Sequence, residues 1–331
     1  MAYDLSNLLV VGVSSTALFD LTKEQRIFEN QGLEAYKKYQ EEHENDILKP
    51  GAGFRLIKSL LRLNTLIPGK RFVEIIIMSR NSADISMRIF NSIEYYNLDI
   101  SRAAFTSGRP IKPYVEAFNV DLFLSTNEED VQDAINSNIA AGLIYATNHS
   151  YETDELKEIR IAFDGDAVLF TDESERIYQK EGLAAFAQHE KMNAKKPLPE
   201  GPFANFLKTI SRIQKEFPEN EMPIRTALVT ARGAPAQERV IRTLKAWGVH
   251  IDEVFFLGGV RKKEILKAFG ADIFFDDQEA HLKHTVDVVP SARVPYRMRM
   301  EQMSIDDLLE MEDFKEKKEE EKQTEQKGDD S

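Results

Sequence analysis

Short apolar runs alternate along the chain with longer segments in which apolar residues recur at helical spacing. The runs rich in β-branched and aromatic residues predict strands over residues 8–13, 74–78, 121–124, 159–163, 226–229, 254–257 and 272–275. Strands that alternate with helices are typical of a mainly parallel, doubly wound α/β sheet. Ligands of such sheets bind at the carboxyl ends of the strands, so the residues after each run are the first candidates for chemistry.

The second half of the chain repeats features of the first at an offset of 150 or 151 residues. The matched pairs include Arg26 with Arg176, Gly32 with Gly182, Leu33 with Leu183, Lys112 with Lys263, Asp121 with Asp272, and Phe123 with Phe274. Any two αβ stretches share apolar spacing, which is the alternative explanation, but spacing does not explain matched glycines and arginines. We therefore predict that residues 1–150 are a degenerate Rossmann-like copy of residues 151–300, folded as two sheets that superpose.

The two copies differ where ligands are expected. The first carries Ser14, Thr16, Met78, Ile111, Ser125 and Thr126 where the second carries Asp164, Asp166, Thr230, Lys262, Asp276 and Asp277. Hydroxyls and a thioether do not replace carboxylates around magnesium, so only the second half is predicted to hold a metal. For the first half, Arg80 and Asn81 favour completion of a pocket or assembly, with helix capping as the alternative.

The strongest chemical signal is Asp164-Gly165-Asp166, directly after the predicted strand 159–163. This order places two carboxylates at one mouth of the sheet, while the glycine lets the backbone stay close to a ligand. An Asp-Gly-Asp sequence by itself is often only a solvated turn. The residues that follow three other strands decide between these interpretations.

Three further strand ends supply groups that suit a phosphate. Thr230 follows one strand, Lys262 and Lys263 lie at a predicted helix start after another, and Asp276-Asp277 follow a third. Together with Asp164 and Asp166 they provide a nucleophile, a proton donor, a cation and hard oxygen ligands. Phosphoryl transfer with magnesium requires that combination.

These motifs resemble those of a known family. The ordered set is similar to the four motifs of the haloacid dehalogenase-like (HAD) phosphatases. The stretches 163–176, 229–232 and 274–278 resemble more narrowly the cytosolic 5′-nucleotidases of type I, and the resemblance covers residues 5–297. It implies a HAD-like Rossmannoid parallel sheet with a cap insert, and hydrolysis of nucleoside 5′-monophosphates.

The resemblance also implies roles for individual residues. Asp164 would attack phosphorus to form an aspartyl phosphate, and Asp166 would protonate the leaving oxygen and then activate water. Thr230 and Lys262 would stabilise charge on the transferring group. The family pattern aligns best with Lys262, whereas the internal repeat leaves Lys263 as a rival.

The cofactor that the resemblance implies is Mg²⁺. Its ligands would be the Asp164 carboxylate, the Asp166 main-chain carbonyl and Asp276, with Asp277 acting directly or through water. His281 is interpreted as a supporting residue rather than a ligand. Because the chain has no cysteine, any metal must be bound by oxygen or imidazole.

The insert 171–222 lies where relatives carry a cap over the substrate. Candidate substrate-binding residues are Thr230, Ala231, Arg232, Lys262, Phe186, His189 and Glu190. Phe186 could stack on the base, but buried aromatics usually pack, and its repeat partner Tyr36 is also aromatic. The packing interpretation is therefore preferred for Phe186.

Composition excludes several classes of protein. The net charge of −13 disfavours nucleic-acid polymers and anionic membranes as partners. No apolar run approaches the ~18 residues of a membrane span, and the N-terminus lacks the pattern of a secretory signal. A cytoplasmic protein is therefore expected. The charged tail 301–331 is predicted to be disordered. Within it, residues 312–331 contain only Phe314 as a large apolar side chain, which is too little apolar surface to offset the entropy of ordering, so disorder or a frayed helix is expected there.

The sequence leaves the substrate and the assembly open. A HAD-type phosphatase of another small phosphomonoester, such as a sugar phosphate, would carry the same four motifs. A nucleotide-sensing module is the non-enzymatic alternative, which the intact acidic set disfavours for the second half. A homo-oligomer is compatible with the sequence.

Overall fold

In a computed structural model, residues 4–145 and 158–296 are described. The predicted charged tail, residues 301–331, lies outside these residues. The strands within them are, in chain order, β1 (Leu9–Val13), β2 (Phe19–Asp20), β3 (Lys49–Pro50), β4 (Val73–Ser79), β5 (Arg102–Phe105), β6 (Leu122–Ser125), β7 (Ala140–Ile144), β8 (Ile159–Phe163), β9 (Ile224–Thr230), β10 (Glu253–Phe256), β11 (Ile273–Asp276) and β12 (Ser291–Arg293).

Helices connect these strands and cover the sheet. The described α-helices are α1 (Ser15–Leu18), α2 (Thr22–Glu42), α3 (Phe54–Arg62), α4 (Met87–Tyr95), α5 (Lys112–Ala117), α6 (Glu128–Asn136), α7 (Glu173–Met192), α8 (Ala204–Gln214), α9 (Gln237–Trp247), α10 (Lys262–Phe269) and α11 (Glu279–Thr285). A short π-helix, Gly165–Leu169, follows β8. Within the described ranges, none of the helices has the length and apolar character of a membrane span.

Ten strands form one sheet in the order β10-β9-β8-β11-β12-β7-β6-β1-β4-β5, while β2 and β3 form a separate pair. The strands are parallel within each half of the chain, and β7 and β12 pair antiparallel where the halves meet. The predicted α/β class with a mainly parallel sheet is confirmed. The expectation of two separate sheets was wrong, because β7 and β12 join the halves edge to edge.

Read outward from the junction, each half has the same strand order. The first half runs β7-β6-β1-β4-β5, and the second runs β12-β11-β8-β9-β10. In each half, the strand that comes first in the chain lies at the centre of its five. β4 and β6 flank β1 in the first half, and β9 and β11 flank β8 in the second. The internal match therefore extends from single residues to topology.

Hydrogen bonds repeat at the same offsets. Asp121 accepts from the Val10 amide at 2.8 Å, and Asp272 accepts from the Arg160 amide at 2.9 Å. In the long helices α2 and α7, Gly32 and Gly182 have φ values of 83° and 82°, which L-residues with a side chain rarely adopt. The two halves therefore share hydrogen bonds and backbone angles at matching positions, and not only the spacing of apolar residues.

The sheet register corrects one of the predicted pairs. Leu9 pairs with Val73 in the first half, and Ile159 pairs with Ile224 in the second. Counting six residues onward from Val73 and Ile224 places Ser79, and not Met78, at the position of Thr230. Both hydroxyls accept a hydrogen bond from the amide two residues later at 3.2 Å, so the match preserves a hydroxyl.

The antiparallel pairing of β7 with β12 also sets the direction in which the strands of each half run. The carboxyl ends of the first-half strands open in the direction opposite to those of the second half. Five inter-strand spacings of ~4.8 Å lie between β1 and β8, so Ser14 and Asp164 are roughly 24 Å apart along the sheet. Completion of the catalytic pocket by Arg80 and Asn81 of the same chain was therefore wrong.

Three strands of the ten-stranded sheet were not predicted: β5, β7 and β12. They contain mainly alanine, glycine, serine and arginine, so the apolar signal in the sequence is weak. Within the predicted cap insert 171–222, α7 leaves much of its length exposed, whereas α8 buries Phe206, Leu207 and Ile210 in the core. The cap stays a prediction for the α7 part, and α8 belongs to the core.

Candidate active site

Asp164 occupies the position directly after β8, at the carboxyl edge of the second half. Its amide donates to the Phe275 carbonyl at 2.8 Å, which fixes the backbone to the neighbouring strand β11. Its side chain is buried. The next residue, Gly165, packs close to Thr230, since a Cβ there would lie 3.1 Å from the Thr230 hydroxyl. Asp164, Gly165 and Thr230 therefore meet at one point.

A buried lysine joins Asp164 to the end of β11. The Nζ of Lys262 lies 2.9 Å from Oδ1 of Asp164 and donates to Oδ2 of Asp276 at 2.7 Å. The Lys263 Nζ instead lies 4.0 Å from Asp287, and its side chain is 36 % exposed. Of the two candidate lysines, Lys262 is the one whose charge enters the cluster. Lys262 is the first residue of α10, and the direction of this helix points its side chain, rather than that of Lys263, toward Asp164 and Asp276.

The electrostatics of this cluster follow from burial. Burial raises the pKa of Asp164 to about 7, although the ammonium of Lys262 opposes the shift. Burial by itself would lower the pKa of Lys262, but the charges of Asp164 and Asp276 outweigh it and hold that pKa above its usual range. One ammonium is therefore shared between two carboxylates that burial separates from water.

The end of β11 offers further oxygen and nitrogen atoms. Oδ1 of Asp276 accepts from the Gln278 amide at 2.8 Å, and Nδ1 of His281 lies 3.1 Å from Oδ2 of Asp276. Asp164, Asp276 and His281 each present a potential ligand atom, all within 4.8 Å of one another. The first turn of α11 points His281 back toward Asp276, a contact that is compatible with the predicted supporting role.

Asp277 shows that this cluster fits a cation. Its Oδ1 is buried and has no hydrogen-bond partner among residues 4–145 and 158–296. Burial, together with the charges of Asp164 and Asp276, raises the pKa of Asp277 to about 8. A lone carboxylate oxygen beside two further carboxylates is the donor set that a hard divalent cation binds.

Asp166 is paired with an arginine rather than with Lys262. The Arg232 guanidinium holds both of its oxygens, with Nε donating to Oδ2 at 2.8 Å and NH2 donating to Oδ1 at 2.5 Å. Arg232 also donates to Oε2 of Glu190 at 2.8 Å. The other oxygen of Glu190 accepts from Arg239 at 2.9 Å and from Ser174 at 2.7 Å. Glu190 is thus a buried bridge between two arginines.

The remaining predicted substrate residues occupy different environments. Phe186 is half-buried, and its ring centroid lies 5.6 Å from the Arg232 guanidinium carbon. His189 is half-buried with Nε2 3.1 Å from Glu173, and Ala231 is exposed. Phe186 and Ala231 are therefore accessible beside Arg232, whereas the carboxylate of Glu190 is fully occupied by protein partners.

Replacement of Glu190 by glutamine should destabilise the fold. The change removes the charge shared by two buried guanidiniums, and breaking such a pair costs about 3 kcal/mol or more. Thermal unfolding should show a clear drop in Tm for Glu190→Gln. The half-exposed Glu173 provides a matched control, since Glu173→Gln should cost less than about 1 kcal/mol. Equal Tm values for both variants would contradict the bridging role.

Taken together, the sheet and the cluster define an α/β protein with three carboxylates and a buried lysine at the strand ends. The family model for 5′-nucleotidase matches residues 1–301. The chain belongs to the 5′-nucleotidase family. The chain is also 40 % identical over 289 residues to human cytosolic 5′-nucleotidase 1B, and the match covers 84 % of this chain and 47 % of that protein.

The resemblance to the cytosolic 5′-nucleotidases of type I is thereby confirmed. The chain spans about half the length of the curated relative that it matches. Membership in this family suggests a divalent metal cofactor, which agrees with the carboxylate cluster around Asp277.

Proposed function

We propose that the chain hydrolyses nucleoside 5′-monophosphates to nucleoside and phosphate. The human relative is named a 5′-nucleotidase, which supports this substrate class. The observation that carries the proposal is the contact of the buried Asp164 carboxylate with Lys262, beside the oxygen of Asp277 that has no protein partner. A nucleophile, a fixed cation and a cation site thus converge at one mouth of the sheet.

In the first half-reaction, a carboxylate oxygen of Asp164 attacks phosphorus, and the bond from phosphorus to the 5′ oxygen breaks. The product on the protein is an aspartyl phosphate, and the leaving oxygen takes a proton from Asp166. In the second half-reaction, Asp166 accepts a proton from water as the water attacks phosphorus, which releases phosphate and restores Asp164. Asp166 is thus the general acid in the first half-reaction and the general base in the second.

The pair between Asp166 and Arg232 adds a condition to this scheme. Because the Arg232 guanidinium occupies both oxygens of Asp166, Asp166 has to leave Arg232 before one of these oxygens can reach the leaving group. A substrate phosphate competes for the same guanidinium, because its oxygens match the same bidentate geometry. Binding of the substrate thus frees Asp166 for proton transfer, and Arg232 then holds the phosphate.

Thr230 and Lys262 stabilise the charge that develops on the transferring group. Lys262 is held in place by Asp276 and Asp164, so it needs no reorganisation when charge appears. The Thr230 hydroxyl lies beside Gly165, next to the nucleophile. Thr230 ends β9, which pairs with one side of β8, and Lys262 begins α10, the helix that leads into β11 on the other side of β8.

The cation that we propose is Mg²⁺. The Asp164 and Asp276 carboxylates and the Asp166 carbonyl would hold it, with Asp277 acting directly or through water and His281 close to the same atoms. When bound, Mg²⁺ supplies positive charge to phosphate oxygens and neutralises the crowded carboxylates.

Asp276→Ala is expected to weaken metal binding and lower activity, with partial recovery at high Mg²⁺ concentration. The change removes one hard ligand and the partner of Lys262, so the midpoint of a Mg²⁺ titration of activity should rise at least tenfold. The exposed Asp287 provides a control, because Asp287→Ala should leave the titration unchanged. An unaltered midpoint in Asp276→Ala would transfer the ligand role to Asp277.

A phosphatase of the same mechanism that acts on a sugar phosphate remains the alternative, since the residues around α7 rather than the four motifs select the substrate. Phosphate release from AMP, IMP, dUMP and common sugar phosphates separates the two. Preference for a sugar phosphate by tenfold or more in kcat/KM would overturn the proposed substrate class.

We also propose a division of labour within the chain. Residues 1–150 form a non-catalytic αβ unit, and residues 151–300 form the catalytic HAD-like unit with its insert at 171–222. The relative is named as a cytosolic protein, and we propose the same compartment for this chain. Homo-oligomer formation stays a prediction, which sedimentation analysis would test.

A further inference from the structure

A cleft of about 1520 Å³ opens at the carboxyl ends of the first-half strands. The ends of β1, β4 and β6 and the first turns of α2 line it, and all of its lining residues lie between 14 and 130. It is thus separate from the cluster around Asp164. By the internal match of the two halves, it occupies in the first half the place that the candidate active site occupies in the second.

The positions of the first half that match the candidate active site carry uncharged residues. By register and offset, the first half carries Ser14 for Asp164, Thr16 for Asp166, Ser125 for Asp276, Ile111 for Lys262, Asn81 for Arg232 and Gln40 for Glu190. Thr16 contacts the hydroxyls of Ser14 at 3.0 Å and Thr126 at 2.6 Å. Neutral hydroxyls at this spacing bind the hydroxyls of a ligand, and they do not bind a divalent cation.

An aromatic and amide wall stands beside these hydroxyls. The Tyr36 hydroxyl donates to Oδ1 of Asn81 at 3.3 Å and accepts from Gln40 at 3.1 Å, which fixes the orientation of all three. Nδ2 of Asn81 is buried and has no hydrogen-bond partner within residues 4–145 and 158–296. Phe28 packs edge to face on Tyr36, with centroids 5.9 Å apart. A planar ring with an acceptor atom would satisfy the free donor.

The charged residues of the cleft disfavour a phosphate beside these hydroxyls. Asp130 holds Arg80 through contacts of 2.6 and 3.0 Å, and Glu129 holds it at 2.9 Å. Of the other cations that line the cleft, Arg26 and Lys49 are exposed and Lys37 is half-buried. Among the described lining residues, no fully buried cation faces the hydroxyls, so a buried dianion would lack compensation there.

We propose that the first-half cleft binds an uncharged nucleoside, without metal and without turnover. The ribose meets the hydroxyls of Ser14, Thr16 and Thr126. The base lies against Tyr36, and an acceptor atom of the base takes the hydrogen bond that Nδ2 of Asn81 donates. The choice of a nucleoside among neutral ligands rests on the proposed function, because the nucleoside is the product of that reaction. Product binding more than 20 Å from the nucleophile gives the chain a second site for its own product.

Hydrogen–deuterium exchange of the full chain with adenosine in EDTA tests this site, because the peptides report where protection occurs. Protection is expected in peptides that contain residues 14–37 and 79–82. Asn81→Ala should lower the affinity measured there at least tenfold, and Thr16→Val should lower it as well. Asn30→Ala provides the matched control, since Asn30 is exposed on α2 outside the cleft lining.

Activity measured on the same proteins separates this inference from the proposed function. The Asn81 and Thr16 variants should retain kcat for AMP within about twofold, which also shows that they fold. Adenosine protection confined to second-half peptides would overturn the inference while leaving hydrolysis intact. Binding of AMP in the first-half cleft at least tenfold tighter than adenosine would also overturn it, since the site would then favour an anion. Protection of the cleft without any phosphate release would instead count against the proposed function alone.

Discussion

Asp164→Asn is expected to abolish phosphate release from nucleoside monophosphates while leaving the fold intact. The amide keeps the shape of the side chain but loses the nucleophilic oxygen and one negative charge of the cation site. Lys262 retains its contact with Asp276 at 2.7 Å, so the buried ammonium still has a carboxylate partner in the variant. Phosphate release at saturating AMP should fall below about one per cent of the parent rate.

Folding of this variant has to be shown independently. Far-ultraviolet circular dichroism and Tm should stay close to the parent values. Asp287→Asn provides the control for loss of a carboxylate at an exposed position, and it should retain full activity. If clean Asp164→Asn protein keeps more than a few per cent of the activity, Asp164 is not the nucleophile.

Lys262→Met should produce the second largest loss. Methionine keeps an unbranched chain of similar length and removes the charge, which leaves the carboxylates of Asp164 and Asp276 facing each other without the ammonium between them. Loss of one group that stabilises transition-state charge lowers kcat by about 10² to 10³-fold. Because Lys262 acts mainly in the transition state, kcat and kcat/KM should fall together.

The neighbouring lysine supplies the comparison. Lys263→Met removes the same charge one residue away, where the ammonium lies 4.0 Å from Asp287 and the side chain is partly exposed. It should change kcat less than twofold. A larger loss in Lys263→Met than in Lys262→Met would show that the internal repeat, and not the family pattern, identifies the phosphate-binding lysine.

The two halves share one fold but carry different chemistry: a charged cluster around Asp164 in the second half, and hydroxyl and amide residues at the matching positions of the first. The backbone hydrogen bonds that hold Asp164 and Ser14 at their strand ends are alike, at 2.8 and 2.9 Å. Replacing carboxylates and their cationic partners together avoids leaving an uncompensated buried charge, which would cost several kcal/mol. The scaffold thus keeps its stability while its ligand chemistry changes.

Some elements were predictable because local sequence carries their signal. The strand over Ile159–Phe163 has the predicted bounds, and the aspartates of the second half follow their strands as expected. Strand β7, with the sequence Ala-Ala-Gly-Leu-Ile, lacks the β-branched residues that favour a strand. It forms a strand because β6 and β12 supply its hydrogen-bond partners, and that information lies far away in the sequence.

Sequence alone was enough to predict the α/β class, the internal match, the placement of Asp164, Thr230 and Asp276 at strand ends and that of Lys262 at a helix start, because burial and strand periodicity act over short segments. Only the folded molecule shows that the halves share one sheet, with their ligand edges facing opposite ways. It also shows that Lys262 rather than Lys263 points into the cluster, and that Glu190 is enclosed by two arginines. Long-range strand pairing and helix direction set these features, and a single sequence does not encode such contacts as a local pattern.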